Sequence, residues 1–68
     1  MTMKRERFRE GRLKLGMTQA GLAKAWGVRG GGRTVRKWER GENSIPSTAV
    51  WLMAIEAFGE RPFYRRTL

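Results

Sequence analysis

The chain contains no cysteine and no histidine among its 68 residues. Disulfides, thiol chemistry and zinc sites built from the usual ligands are therefore excluded, and the zinc-finger class with them. Catalysis has little support, because no histidine or cysteine can act as base or nucleophile and the 6 carboxylates are scattered among arginines. We predict no enzymatic activity, no metal and no cofactor.

Long hydrophobic runs are also missing, and no uninterrupted apolar stretch has the length of a membrane span. The basic segment 1–7 is followed by no apolar region of the kind found in secretory signals. We therefore expect a cytoplasmic protein with no membrane partner. No internal repeat or linker divides the chain, so we expect one domain over residues 1–68.

Acidic residues are scarce, with 6 Asp and Glu against 15 Lys and Arg, for a formal net charge of +9. A field of this sign attracts phosphate polyanions, whether nucleic acid or an anionic membrane surface. The charge alone does not distinguish the two. The cations are not segregated opposite one long apolar face, which disfavours an amphipathic membrane binder.

Glycines divide the chain into four segments with helical periodicity. The predicted helices cover about residues 4–15, 19–26, 32–40 and 47–58. Thr18 precedes the second helix at the position of an N-cap, and Pro46 stands at or near the start of the fourth. The expected fold class is all-α.

The third predicted helix carries cations and apolar side chains on different faces. Val35 and Trp38 are three residues apart, so they share one face and can anchor the helix to a core. The remaining surface carries four cations, Arg33, Arg36, Lys37 and Arg40. A helix this short must dock on other helices to be stable in water, so the pattern is typical of a recognition helix.

The fourth predicted helix is apolar nearly all round. A core-like spacing relates Trp51, Leu52, Ile55 and Phe58. A second apolar stripe consists of Val50, Met53, Ala54 and Ala57. We predict that this second stripe forms a homodimer interface together with Phe63 and Tyr64, since a chain this short is marginally stable alone. The alternative is that the C-terminal segment folds back over the stripe.

Two further groups of side chains allow both a structural and a nucleic-acid-binding interpretation. The tryptophans Trp26, Trp38 and Trp51 fall on predicted core stripes, which favours packing over base stacking. In the first helix, arginines alternate with Glu6 and Glu10, as is typical of a solvated face. Contact with phosphates is the alternative for the cations of this segment, Lys4, Arg5, Arg7 and Arg9.

Three stretches, residues 15–23 (LGMTQAGLA), 26–28 (WGV) and 33–41 (RTVRKWERG), together resemble the Cro/C1-type (XRE) helix-turn-helix family. The likeness covers about residues 8–59 and leaves 60–68 as a tail. It implies a compact, lambda-repressor-like bundle of four or five helices. In that family the third helix enters the major groove of DNA, usually as a homodimer on a palindromic operator.

The resemblance also implies roles for individual residues. Base contacts are assigned to Gly32, Arg33, Arg36 and Lys37. Phosphate contacts near the ends of the recognition unit are assigned to Thr18, Gln19, Arg40 and Asn43. Gln19 is also expected to brace the recognition helix, and Arg12 with Glu39 matches the ion pair between helices in the family.

The chain departs from the family pattern before the third helix, where the turn is two residues longer. Its three glycines supply no side-chain cap, so the first helical turn either frays or becomes ordered on DNA. Bare amides can approach phosphates closely, which adds Arg29, Gly30 and Gly31 to the predicted phosphate contacts. A merely flexible turn is the alternative, and the departure leaves the base contact of Gly32 open.

The resemblance implies a sequence-specific repressor of double-stranded DNA. Small autorepressors of phages and mobile elements, such as anti-CRISPR-associated regulators, are similar, which implies a location on the nucleoid of a bacterial host. Two alternatives stay open. One is an RNA-binding regulator that uses the same basic face, and the other is an antitoxin or adaptor that binds a protein through the fourth helix.

Overall fold

The computed structural model describes residues 3–60, which form four α-helices and no strand. The helices are α1 (Arg5–Lys14), α2 (Gln19–Trp26), α3 (Gly32–Arg40) and α4 (Ser47–Phe58). The predicted all-α class is confirmed, and the predicted helix ends agree with the observed ones to within one residue. Within residues 3–60, no helix combines the length and the apolar character needed to cross a lipid bilayer.

Local side-chain and backbone contacts determine where α2 begins and ends. At its start, the Thr18 hydroxyl accepts a hydrogen bond from the Gly21 N–H at 2.9 Å, as an N-cap does. At its end, Gly27 adopts φ +66° and the Val28 N–H donates to the Ala23 carbonyl at 2.8 Å. The left-handed conformation of Gly27 reverses the chain direction and ends the helix, and the Val28 side chain packs against the core.

Phe8 of α1 lies at the centre of the core. Its fully buried ring meets Trp26 and Trp38 edge to face, with centroid distances of 6.1 and 5.8 Å. Leu22 and Val35 are also fully buried and belong to the same cluster. One aromatic side chain therefore connects α1 to both α2 and α3. The edge-to-face geometry stabilises these contacts beyond what the burial of apolar area contributes.

The contact between α1 and α4 depends on Gly11. A Cβ atom at this position would lie 2.5 Å from Met53 Sδ and 2.9 Å from a ring carbon of Phe58. Glycine weakens a helix interior by about 1 kcal/mol relative to alanine. Here the missing side chain is what allows α4 to pack closely on α1.

The predicted orientation of α4 is wrong. The stripe expected to face outward is instead buried within the chain, with Val50, Met53 and Ala54 at 1%, 0% and 0% exposure. Ala57 is partly buried against the same core. These four residues therefore have no outward stripe to offer a second copy, and the other two predicted interface residues, Phe63 and Tyr64, lie outside the described residues.

The stripe expected in the core is correspondingly turned outward. Trp51, Leu52 and Ile55 are 39%, 38% and 42% exposed, and Phe58 alone of that stripe packs against the core. Shape explains the choice, because the space opposite Gly11 is filled by the unbranched, adaptable side chain of Met53. The exposed row on α4, formed by Trp51, Leu52 and Ile55, is therefore the apolar surface that this helix presents.

Candidate nucleic-acid interface

The two faces of α3 are separated as its sequence predicts. Val35 and Trp38 are 0% and 6% exposed and fix the helix against the core. The cations on the opposite face are all exposed: Arg33, Arg36, Lys37 and Arg40. A short helix is thus held rigidly by its buried side, while its charged side chains extend into solvent.

A buried polar network anchors the other side of α3. Arg12 Nε donates to Glu39 Oε2 at 2.7 Å and Arg12 Nη2 to Oε1 at 3.1 Å, with the two side chains only 8% and 4% exposed. Gln19 Nε2 also donates to Glu39 Oε1 at 3.1 Å, and Arg12 Nη1 donates to the Met17 carbonyl at 2.9 Å. The ion pair and the brace implied by the resemblance are both present as contacts.

This network also determines the electrostatics of the exposed face. Glu39 is the one carboxylate in the sequence of α3, and it is directed inward and paired with Arg12. The outer surface of α3 therefore carries positive charge alone. Its end is less strongly positive, because Glu42 in the following loop pairs with Arg40 at 3.1 Å in an exposed contact that sequence reasoning missed.

The glycine turn is closed by hydrogen bonds rather than by a side-chain cap. The Gly31 N–H donates to the Val28 carbonyl at 3.1 Å, and Gly30 has φ +88°. The Thr34 hydroxyl donates to the Arg29 carbonyl at 2.8 Å and so joins the turn to the first turn of α3. Gly31 makes no side-chain cap, as expected, yet the helix begins directly after it.

Gly32 has a packing role that sequence reasoning missed. A Cβ atom on it would lie 2.9 Å from both the backbone N and the Cα of Ala20. The N-terminal ends of α2 and α3 therefore touch, backbone against backbone. They form a shallow cleft of about 280 Å³ whose lining residues are Gln19, Ala20, Gly32, Arg33 and Arg36.

The predicted phosphate contacts fall into three places. Thr18 and Gln19 lie at the start of α2, although the Thr18 hydroxyl caps the helix and the Gln19 amide is held by Glu39. Arg29 is exposed in the turn before α3. At the other end of α3, Arg40 and Asn43 are both exposed. All three places adjoin one end or the other of α3.

No protein-family model, curated protein or solved structure matches the chain. The resemblance to the XRE family therefore stays a prediction from the sequence.

Proposed function

We propose that the protein is a sequence-specific repressor that binds double-stranded DNA as a homodimer, with α3 in the major groove. One observation supports this most directly: α3 is fixed by buried Val35 and Trp38, and its outer face is purely cationic. An α-helix with its side chains is about 10–12 Å wide, close to the width of the major groove of B-DNA. A rigid, positively charged helix of this kind matches that groove in both shape and charge.

Arg33 and Arg36 are the residues that we assign to base recognition. Both are exposed, and both line the cleft between the N-termini of α2 and α3. The arginine fork donates to O6 and N7 of guanine, and each such pair is worth about 1–3 kcal/mol of discrimination against the wrong base. We therefore expect a G·C pair at the operator position that each arginine reads.

The homodimer is proposed through the exposed row on α4. Leu52 and Ile55 are 38% and 42% exposed beside Trp51, which gives the helix a continuous apolar surface. Burying it against a second copy would remove apolar area from water, and soluble oligomers favour two-fold symmetry. Two copies of α3 about 34 Å apart would then read the two halves of an inverted repeat.

A role of this kind belongs in the cytoplasm of a bacterial cell, on the nucleoid. The similarity to small autorepressors of phages and mobile elements suggests that occupancy of the operator blocks transcription of the protein's own operon. Phosphate contacts would supply much of the affinity, which should therefore fall steeply with salt.

The first experiment is selection from a random duplex library at physiological salt, followed by titration of the selected and a scrambled duplex. We expect an inverted repeat with G·C pairs, half-sites one helical turn apart and a preference of about a thousandfold. Arg36→Gln should flatten the preference at one position of each half-site, whereas Lys14→Gln on α1 should leave it unchanged. Equal binding of both duplexes would refute a sequence-specific repressor.

A second test separates the alternatives that involve RNA and protein partners. Unlabelled operator DNA should displace a labelled operator duplex from the protein, whereas structured RNA should not, because the A-form major groove does not admit a helix. Leu52→Glu should convert a dimer to a monomer in sedimentation equilibrium, whereas Leu13→Glu, at a leucine that is 52% exposed on α1, should not. A monomeric wild type would argue for a different protein as the partner of α4.

A further inference from the structure

We infer that Arg5 and Arg9, on the edge of α1 that borders α3, form a second surface that contacts the phosphate backbone. The inference rests on the proposed function and extends the DNA footprint beyond α3. It also divides the cations of the first helix, whose sequence pattern favours a uniformly solvated face, into two groups with different roles.

Two contacts show which edge of α1 borders α3. Arg12 binds Glu39 near the end of α3, and the Arg5 guanidinium lies so close to Gly41 that a Cβ there would overlap Arg5 Nη1. Arg9 is four residues after Arg5 and three before Arg12, so the three side chains share one edge of the helix. Arg9 therefore lies between the two contacts, alongside the C-terminal end of α3.

Arg9 is well suited to bind an anion. It is exposed, and no carboxylate among residues 3–60 forms an ion pair with it. Arg5 has a partner in Glu6 at 3.4 Å, but their side chains are 53% and 73% exposed. An exposed pair of this kind contributes little free energy, so Arg5 can exchange Glu6 for a phosphate at small cost.

The remaining cations of α1 lie on a different edge and have structural partners on α4 and beyond it. Arg7 Nη2 lies 2.5 Å from Glu60 Oε2, and the Arg7 guanidinium lies 3.8 Å from the centroid of the Phe58 ring. Lys14 Nζ lies 5.6 Å from the same centroid. Lys14 thus provides a matched control: one cation of the same helix, on the edge that faces α4.

The position of the edge agrees with a duplex bound by α3. Each wall of the major groove is a sugar-phosphate backbone, and contacts to it position a protein without reading sequence. Arg40 ends α3 and Asn43 lies in the loop that follows, where we place one backbone. Gly41, between them in the chain, is the residue that Arg5 covers. Arg9 and Arg5 therefore continue the same line of positive charge along α1.

The test measures Kd over a salt series for the wild type, Arg9→Gln, the double variant Arg5→Gln/Arg9→Gln and Lys14→Gln. The slope of log affinity against log salt is negative, and each lost phosphate contact should make it less steep by about 0.9, so the slope of the double variant should be less steep by about twice that. The Arg9→Gln and double variants should lose affinity for the selected and the scrambled duplex by the same factor, because phosphates carry no sequence information. Lys14→Gln should keep the wild-type slope.

This inference would be overturned if Arg9→Gln and the double variant had the same salt slope as the wild type and Lys14→Gln. The proposed function would be unaffected by that result. Equal affinity of the wild type for the selected and the scrambled duplex would refute sequence-specific repression. The salt slopes measured on the scrambled duplex would still test whether Arg5 and Arg9 contact phosphates. Wild-type protein that binds no duplex would overturn both. Circular dichroism of each variant verifies that its fold is intact.

Discussion

Glu39→Gln should destabilise the fold by about 3 kcal/mol. The Glu39 side chain is 4% exposed and accepts three hydrogen bonds, two from Arg12 and one from Gln19. Glutamine preserves the volume but removes the charge, which leaves the buried guanidinium without its counterion. Breaking one side of a buried ion pair costs about 3–5 kcal/mol. We expect the lower end, because Arg12 keeps the Met17 carbonyl as a partner.

A loss of this size is large for a chain of 68 residues. Stabilities of about 0.05–0.15 kcal/mol per residue give a total of about 3–10 kcal/mol. For a domain of this length, each kcal/mol lowers the melting temperature by about 4–8 °C, so Glu39→Gln should melt about 12–24 °C below the wild type. Thermal unfolding followed by far-UV circular dichroism measures this directly, since the described fold is helical.

Glu42→Gln is the matched control. It neutralises a carboxylate three residues after Glu39 that pairs with Arg40. In this pair the Arg40 side chain is 64% exposed and the Glu42 side chain 46%. The cost of losing such a pair is about 0–1 kcal/mol. In addition, Arg12→Met/Glu39→Leu should recover much of the lost stability, because apolar side chains of similar volume remove the uncompensated charge. Equal melting temperatures for Glu39→Gln and Glu42→Gln would refute the reasoning.

Three further substitutions test the close contacts between helices and the cap of α2. Gly11→Ala should lower stability by about 1–2 kcal/mol in thermal melts despite the better helix propensity of alanine, since its Cβ overlaps Met53; wild-type stability would mean that Met53 repacks freely. Gly32→Ala should force α2 and α3 apart and weaken operator binding at least tenfold in titrations, and unchanged affinity would argue against the packing role. Thr18→Ala should lower the free energy of unfolding by about 1 kcal/mol in urea denaturation, and an unchanged value would show that the cap does not stabilise the fold.

The helix ends could be predicted because their causes are local. Gly27, Gly41 and Gly59 each adopt a positive φ directly after a helix, a conformation that glycine reaches without the steric penalty of a side chain. The Thr18 cap acts over three residues of the chain. None of these signals depends on how the helices are packed, so the sequence is sufficient to read them.

The orientation of α4 could not be predicted in the same way. Both stripes of the helix are apolar, so hydrophobic periodicity does not distinguish between them. The decision is made by the shape of the partner surface, where Gly11 leaves room for Met53 and Phe58. A glycine in α1 thereby determines which residues of α4, 40 to 44 positions further along the chain, face solvent.

The candidate site divides along the same line. The cations of α3 could be predicted as a group, because periodicity separates them from Val35 and Trp38 within one helix. The packing of Gly32 on Ala20 could not, because it depends on the contact between two helices. The assignment of Arg5 and Arg9 to the α3 side of α1 likewise requires the positions of Gly41 and Glu39.

The glycine turn combines both kinds of information. Its lack of a side-chain cap follows from the sequence, but the hydrogen bond from Thr34 to the Arg29 carbonyl becomes visible only in the fold. That bond needs a glycine at position 30, because a Cβ there would overlap Thr34 Oγ1. The longer turn is therefore fastened to the first turn of α3, and this attachment fixes the backbone that carries the exposed Arg29.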